Sequence, residues 1–260
     1  MRFDTWLKKN EQLIDWNLFL EPWDAMQMKH NPFREEQIRA LLIASSFQNM
    51  ESPLVLDLGC GPGVLGRLLT NAKPLARYYG MDGDPLMLAA MRRLLDGRRV
   101  HSLQFDLRKT EWRNEYTGHF DSVVSLTALH WLSQPHLKAT YLAAFEVLKP
   151  GGTFMVGDPY LPEDPQEQKK LEALHNECAA SLKGPTWSDY WKSFLGKYQI
   201  EEMYTEYHKE RGYQIPFEGS DAGYTLNWHL ETLQDVGFNE VSVFWKEDLR
   251  AVFGGTRPVS

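Results

Sequence analysis

An apolar pattern from Leu54 to Leu58 runs directly into four glycines within eight residues, Gly59, Gly61, Gly63 and Gly66, in the stretch LVLDLGCGPGVLG (54–66). Glycines so placed let a chain leave a buried strand by a tight turn and open a helix whose amide end approaches a ligand closely. The residues that follow keep this strand-to-helix rhythm. Apolar runs at Leu54–Leu58, Ala76–Met81, Ser102–Asp106, Asp121–Leu126 and Thr153–Val156 alternate with helical patterns, as in βαβ units of a parallel sheet covered on both faces. Leu137, Tyr141, Phe145 and Leu148 recur at helical spacing before the stop KPGG (149–152), and Leu226, Leu230, Leu233 and Val236 do so before Gly237. Two last runs, Val241–Trp245 and Leu249–Phe253, are expected to pair antiparallel at one sheet edge.

Two stretches fall outside this rhythm, residues 1–50 and residues 159–225. Six of the 33 aromatic residues lie in 1–33 and eleven in 186–228, so about half stand outside the expected sheet. They either wall a pocket as a lid or pack the two segments onto the sheet. The net charge of −7 argues against a surface built to neutralise phosphates, and Arg92, Arg93, Arg98 and Arg99 read as a solvated helix end. Only Cys60 and Cys178 are present, and MRFDTWLKKN has no apolar leader core, so a reducing, cytoplasmic setting is expected. No apolar run approaches the roughly 18 residues of a membrane span, and no cluster has metal-ligand spacing.

Gly61, Gly63 and Gly66 fit G-x-G-x-x-G, and Asp82 ends the next strand, so a nicotinamide dinucleotide is one reading. Asp57 argues against it. A carboxylate two residues before the first glycine repels a pyrophosphate and attracts a cation. S-Adenosylmethionine, with its ammonium and sulfonium, satisfies both the glycines and the acid. The stretch D-L-G-C-G-P-G (57–63) resembles the glycine-rich signature of class I S-adenosylmethionine-dependent methyltransferases. So do four further landmarks in order: Asp82 in YYGMD, Asp106 in LQFDL, the segment FDSVVSLTALHWL (120–132) followed by LKPGGTFMV (148–156), and the ending VGFNEVSVFWK (236–246). The resemblance is to small-molecule members and spans about residues 51–157 and 226–257.

The resemblance implies an α/β fold: a doubly wound, Rossmann-like, seven-stranded mixed sheet with an antiparallel edge strand, a helical N-terminal cover and a helical, aromatic-rich insertion. Residues 1–260 are expected to form one methyltransferase domain, divided into a cover (1–50), a cofactor-binding core (51–158), a substrate lid (159–225) and the final helix and hairpin (226–260). S-Adenosylmethionine is the implied cofactor, held by Asp57, Gly59, Cys60, Gly61, Gly63, Asp82, Asp106, Leu107 and Thr127. Asp82 stands where the family binds the ribose hydroxyls, and Asp106 where an acid accepts from the adenine amino group. Methyl transfer is an in-line displacement that needs alignment in a dry site; no metal or triad is required. His130 is the candidate acid-base residue for an acceptor that arrives protonated. Trp131, Trp187, Tyr190, Trp191 and Tyr224 are the candidate pocket walls, and Trp16, Trp23 and Arg34 are candidates to close over the methionine end of the donor.

Asp158-Pro159-Tyr160 resembles the D/N-P-P-Y element of nucleic-acid amino methyltransferases, but it follows the fifth strand and lacks one proline, so base methylation is set aside. The expected partner is a small-molecule acceptor, without nucleic acid or membrane. The acceptor, the atom methylated and the oligomeric state stay open. So do three alternatives: a nicotinamide-dependent oxidoreductase, a non-catalytic S-adenosylmethionine-binding protein, and carboxymethyl transfer.

Overall fold

The computed structural model describes residues 1–95, 97–212 and 223–259. Every apolar run becomes a strand: β1 (Leu54–Leu58), β2 (Arg77–Asp82), β3 (Val100–Gln104), β4 (Phe120–Leu126), β5 (Leu148–Pro159), β6 (Asn239–Glu247) and β7 (Arg250–Thr256). Ten α-helices accompany them among the described residues: α1 (Phe3–Asn10), α2 (Asn17–His30), α3 (Arg34–Ala44), α4 (Val64–Ala72), α5 (Pro85–Leu94), α6 (Gln134–Val147), α7 (Pro165–Ser181), α8 (Trp187–Lys197), α9 (Glu201–Glu210) and α10 (Leu226–Val236).

Local chemistry sets several boundaries. Asp84 caps α5 by accepting from the Leu86 amide at 2.8 Å, with Pro85 at the first helical position. Thr225 caps α10, and Gly237, at φ 112°, ends it in the left-handed conformation. The KPGG stretch, expected as a helix stop, lies within β5: α6 ends at Val147, and β5 starts at Leu148 with a register shift against β4 between Phe120 and Ser122.

The seven strands are ordered β3-β2-β1-β4-β5-β7-β6. Strands β1 to β5 are parallel, β7 runs antiparallel to both β5 and β6, and β6 and β7 form the edge hairpin. Chain direction across the sheet reverses between β1 and β4, so a crevice opens at their carboxyl ends, where ligands of such sheets bind. One apolar cluster, with Leu56, Phe120, Tyr141 and Phe154, packs on one face, and another, with Val55, Leu41, Tyr78 and Met155, packs on the other.

Helix α3 lies over β5, β7 and β6. The Gln37 side-chain amide donates to the Ala251 carbonyl at 3.1 Å, and past the helix end the Ser46 amide donates to Thr153 Oγ1 at 2.9 Å. The helix therefore runs against β5, with Arg34 at the carboxyl edge of the sheet. Helices α2 and α8 pack on each other through Phe19, Trp23, Tyr190 and Phe194, with Phe19 and Phe194 edge to face at 4.9 Å. N-terminal cover and insertion thus build one layer, and the apolar residues Leu86, Met87, Ala89 and Ala90 of α5 share its core. Residues 213–222 of the insertion lie outside the described residues. Among the described residues no helix is long and apolar enough to cross a membrane.

Candidate functional site

The glycine turn folds back on β2. The Gly59 and Cys60 amides donate to the Met81 carbonyl at 2.8 and 3.0 Å, and the Gly61 amide donates to Asp82 Oδ2 at 2.9 Å. Gly59, Gly61 and Gly63 have φ of 71°, 53° and 85°. A Cβ on Gly59 would stand 2.4 Å from Ala128 Cβ and 3.8 Å from Leu107 Cδ1, and one on Gly63 would stand 2.5 Å from Met91 Cγ. Gly61 differs: the nearest atom to its Cβ position is Trp23 Cζ2 at 4.0 Å, so space is left between the turn and the indole above it. Cys60 is buried with its sulfur 3.7 Å from Met91 Sδ, so only its backbone belongs to the turn's ligand-facing side.

Two acids sit under this turn. Asp57 is 1% exposed; its Oδ2 accepts from the Tyr78 hydroxyl at 2.6 Å, while its buried Oδ1 has no partner among the described residues. Burial, offset in part by the Tyr78 bond and reinforced by the Asp82 charge, raises its pKa to about 7. Asp82 accepts from the Gly61 amide and, through Oδ1, from the Asp84 amide at 2.9 Å. Burial outweighs these bonds, and its pKa rises to about 6. Such a pair of destabilised carboxylates favours a cationic ligand. The unpartnered Asp57 Oδ1, the unpartnered Trp23 indole N–H and the open space over Gly61 are the features that an ammonium- and carboxylate-bearing nucleoside would satisfy.

Asp106 is held differently from what the sequence suggests. Its carboxylate is gripped from both sides by Arg108, at 2.9 Å (Nε to Oδ1) and 2.8 Å (Nη2 to Oδ2), and this ion pair holds its pKa below the usual carboxylate range against partial burial. The same guanidinium donates to the carbonyls of Arg211 and Gly212 beyond α9, tying the insertion to the adenine side of the expected site. The Leu107 side chain lies against the Gly59 turn, and its carbonyl accepts from Thr140 at 3.2 Å. Thr127, at the end of β4, has a left-handed φ of 50° and donates its amide to the Gly157 carbonyl at 2.7 Å.

Across the crevice, His130 is 9% exposed and locked to Asp158 at the end of β5. The ring Nδ1 lies 2.7 Å from Oδ1, and the His130 amide donates to Oδ2 at 2.8 Å. Both carboxylate oxygens are thereby committed to one residue. The proton is fixed on Nδ1, so the basic lone pair belongs to Nε2. From His130 a row of rings leads back to the glycine turn: Trp131 at 4.9 Å, Trp187 a further 6.3 Å on, Trp23 another 5.8 Å, and then Gly61.

Two expected pocket walls are spent elsewhere. Tyr190 is 2% exposed and donates its hydroxyl to the Phe19 carbonyl at 2.8 Å, which makes it a pillar of the aromatic layer between α2 and α8. Tyr224 packs on Trp228 at 4.9 Å and donates to the Leu132 carbonyl at 3.4 Å. Trp191 stacks on Tyr204 at 5.3 Å and meets Trp23 edge to face at 6.1 Å, so it joins the aromatic layer behind Trp23. Trp16 packs on Phe19 in the same layer at 5.9 Å. Asp158, the partner of His130, is not legible as such in the sequence, where its D-P-Y context resembles an amine-gripping motif. The spacing of 28 residues gives no local signal.

A family model described as a methyltransferase domain matches residues 55–152. The chain is 28% identical over 153 residues to trans-aconitate 2-methyltransferase of Variovorax paradoxus, covering 59% of this chain and 53% of that one. It is 27% identical over 122 residues to malonyl-[acyl-carrier protein] O-methyltransferase of a Paenibacillus species, covering 46% and 44%. The chain spans about half the length of the curated relatives it matches. Among solved structures, human N-acetylserotonin methyltransferase in complex with S-adenosylmethionine superposes with a TM-score of 0.54 at 15% identity, covering 93% of this chain and 58% of that one, which is a likeness of fold. Residues 55–152, which hold the glycine turn, thus match a methyltransferase domain, and the fold is one shared with a solved S-adenosylmethionine-binding methyltransferase.

Proposed function

We propose that the protein transfers a methyl group from S-adenosylmethionine to a small organic acceptor. The observation that carries this reading is the division of one crevice into a cation-seeking turn, with Asp57 and Asp82, and a fixed histidine base, His130, joined by the row Trp131, Trp187 and Trp23. Bound donor supplies a methyl carbon made electrophilic by its sulfonium. The chain's residues do the rest. Gly59, Gly61 and Gly63, with the Cys60 backbone, would allow close approach to the donor; Asp82 would accept from its ribose hydroxyls; Asp57 would contribute negative charge; the Trp23 N–H would donate to its carboxylate; Leu107, Thr127 and the Asp106–Arg108 pair would border the nucleoside. His130 Nε2 removes a proton from the acceptor, and Asp158 stabilises the imidazolium that results. The tryptophans exclude water. A cytoplasmic setting and an acceptor other than nucleic acid belong to the same proposal, supported by the two unpaired thiols and the net charge of −7.

Incubation with methyl-labelled S-adenosylmethionine and a pool of small organic acids, phenols and amines tests the reading. Label is expected in an extractable small molecule, in an amount that falls with His130→Ala. Label that stays on the donor under all conditions contradicts it.

A further inference from the structure

We propose that Arg34 is the receptor for a carboxylate group on the methyl acceptor, so that the acceptor is an organic acid; this rests on the methyltransferase reading above. Arg34 is 6% exposed, and the only side-chain hydrogen bond it makes among the described residues runs from Nη1 to Gln27 Oε1, at 3.4 Å. It forms no ion pair with any described residue. A guanidinium has five donors in a fixed fork and stays charged near neutral pH. Left in the interior with one long bond, it is a cost to the fold that a bound carboxylate would offset.

The surroundings ask for an anion as well. Arg34 opens the eleven-residue helix α3, whose N-terminal residue Phe33 supplies no side-chain cap, so the positive end of the helix adds to the guanidinium charge. Arg250, 6% exposed, is close enough to disfavour the Arg34 charge, and burial disfavours it more; against the opposing pull of Asp24 the pKa falls to about 10. Basic groups concentrated in this way are the usual device for a planar, two-oxygen anion, which Arg matches bidentately.

Position assigns the anion to the acceptor rather than the donor. Helix α3 lies over β5, β7 and β6, the half of the sheet away from the glycine turn, with Arg34 at its carboxyl edge. Arg250 pairs in register with Pro159, the neighbour of Asp158, which holds His130. Arg34 thus opens α3 by the carboxyl end of β5, where Asp158 holds His130, with its guanidinium between Gln27 and Asp24 of α2 and Arg250 of β7. Over the glycine turn itself the Trp23 indole N–H is the unpartnered donor available to the donor's own carboxylate. The carboxylate on Arg34 is a recognition handle; the group that reacts faces His130. An acceptor lacking the handle leaves a buried cation unpaired, which is how such sites reject neutral analogues.

The test is binding, read by ligand-observed NMR on the protein loaded with S-adenosylhomocysteine. The probes are acetate, malonate and trans-aconitate, each beside its amide. At least one acid is expected to bind, its amide at least about tenfold more weakly; Arg34→Gln brings the acid down to the level of the amide, and Arg34→Lys restores part of the difference. Affinity for S-adenosylhomocysteine stays unchanged in both variants, which also reports that they fold. Absence of binding by all three acids, or equal binding of acids and amides, overturns the proposal. So does an Arg34→Gln variant that loses affinity for S-adenosylhomocysteine but not for methylthioadenosine, which has no carboxylate: Arg34 would then hold the donor. Failure of the wild-type protein to bind S-adenosylhomocysteine overturns the methyltransferase reading, and this proposal with it.

Discussion

The two ends of the crevice are made in opposite ways. The glycine end is assembled from one continuous stretch, residues 57 to 84, in which β1, the turn, α4 and β2 follow one another and bond to each other directly. The histidine end draws His130 from after β4, Asp158 from the end of β5, Trp23 from the N-terminal cover and Trp187 from the insertion. A donor shared by many enzymes is met by a compact local device. Under the proposed function, an acceptor particular to one enzyme would be met by side chains that only the complete fold brings together.

If that division is right, damage at the two ends separates. The largest loss is expected from His130→Ala, about 10² to 10⁴ in turnover with donor affinity intact, measured by single-turnover labelling and calorimetry. Asp158→Asn, which loosens the ring without removing it, is expected to cost about tenfold to hundredfold; equal donor binding in both variants is the check. At the other end, Gly59→Ala forces a left-handed φ and a 2.4 Å approach to Ala128 Cβ, and is expected to cost about 2 to 4 kcal/mol of stability in a denaturant titration. Asp82→Ala is expected to weaken donor binding by about 1.5 to 3 kcal/mol, the scale of a lost charge-assisted bond.

The smallest effect is one of pH. Asp57 and Asp82 have folded pKa values raised to about 7 and about 6, from 3.8, so the free protein prefers them protonated. Their contribution to stability is complete below about pH 4 and is lost as pH rises through 6 and 7. Affinity for the cationic donor runs the other way, rising over the same window as the acids ionise, by at most about tenfold per group and pH unit. Asp57→Asn is expected to flatten both curves in thermal melts and calorimetry. Identical pH profiles in the variant and the wild type would remove Asp57 from the donor site.

The same contrast explains what could be read from the sequence. Strand β1 carries the expected bounds unchanged, and α10 spans the expected Leu226 to Val236 up to Gly237, because periodicity and glycine conformation are local properties. The glycine turn and its acids were legible for the same reason. Tyr190 and Trp187 look alike in sequence, three residues apart on one helix, yet one is buried under Phe19 and the other reaches Trp131. Only packing between α2 and α8 separates them. Arg108 was equally silent: its grip on Asp106 is local, but its hold on the Arg211 and Gly212 carbonyls joins residues about a hundred apart.

Calorimetric titration with S-adenosylhomocysteine of three proteins, the wild type, Asp82→Ala and His130→Ala, tests the division most directly. The account predicts micromolar binding by the wild type and by His130→Ala, and strongly weakened binding by Asp82→Ala. Equal weakening in both variants, or binding of NAD in place of the homocysteine ligand, would contradict it.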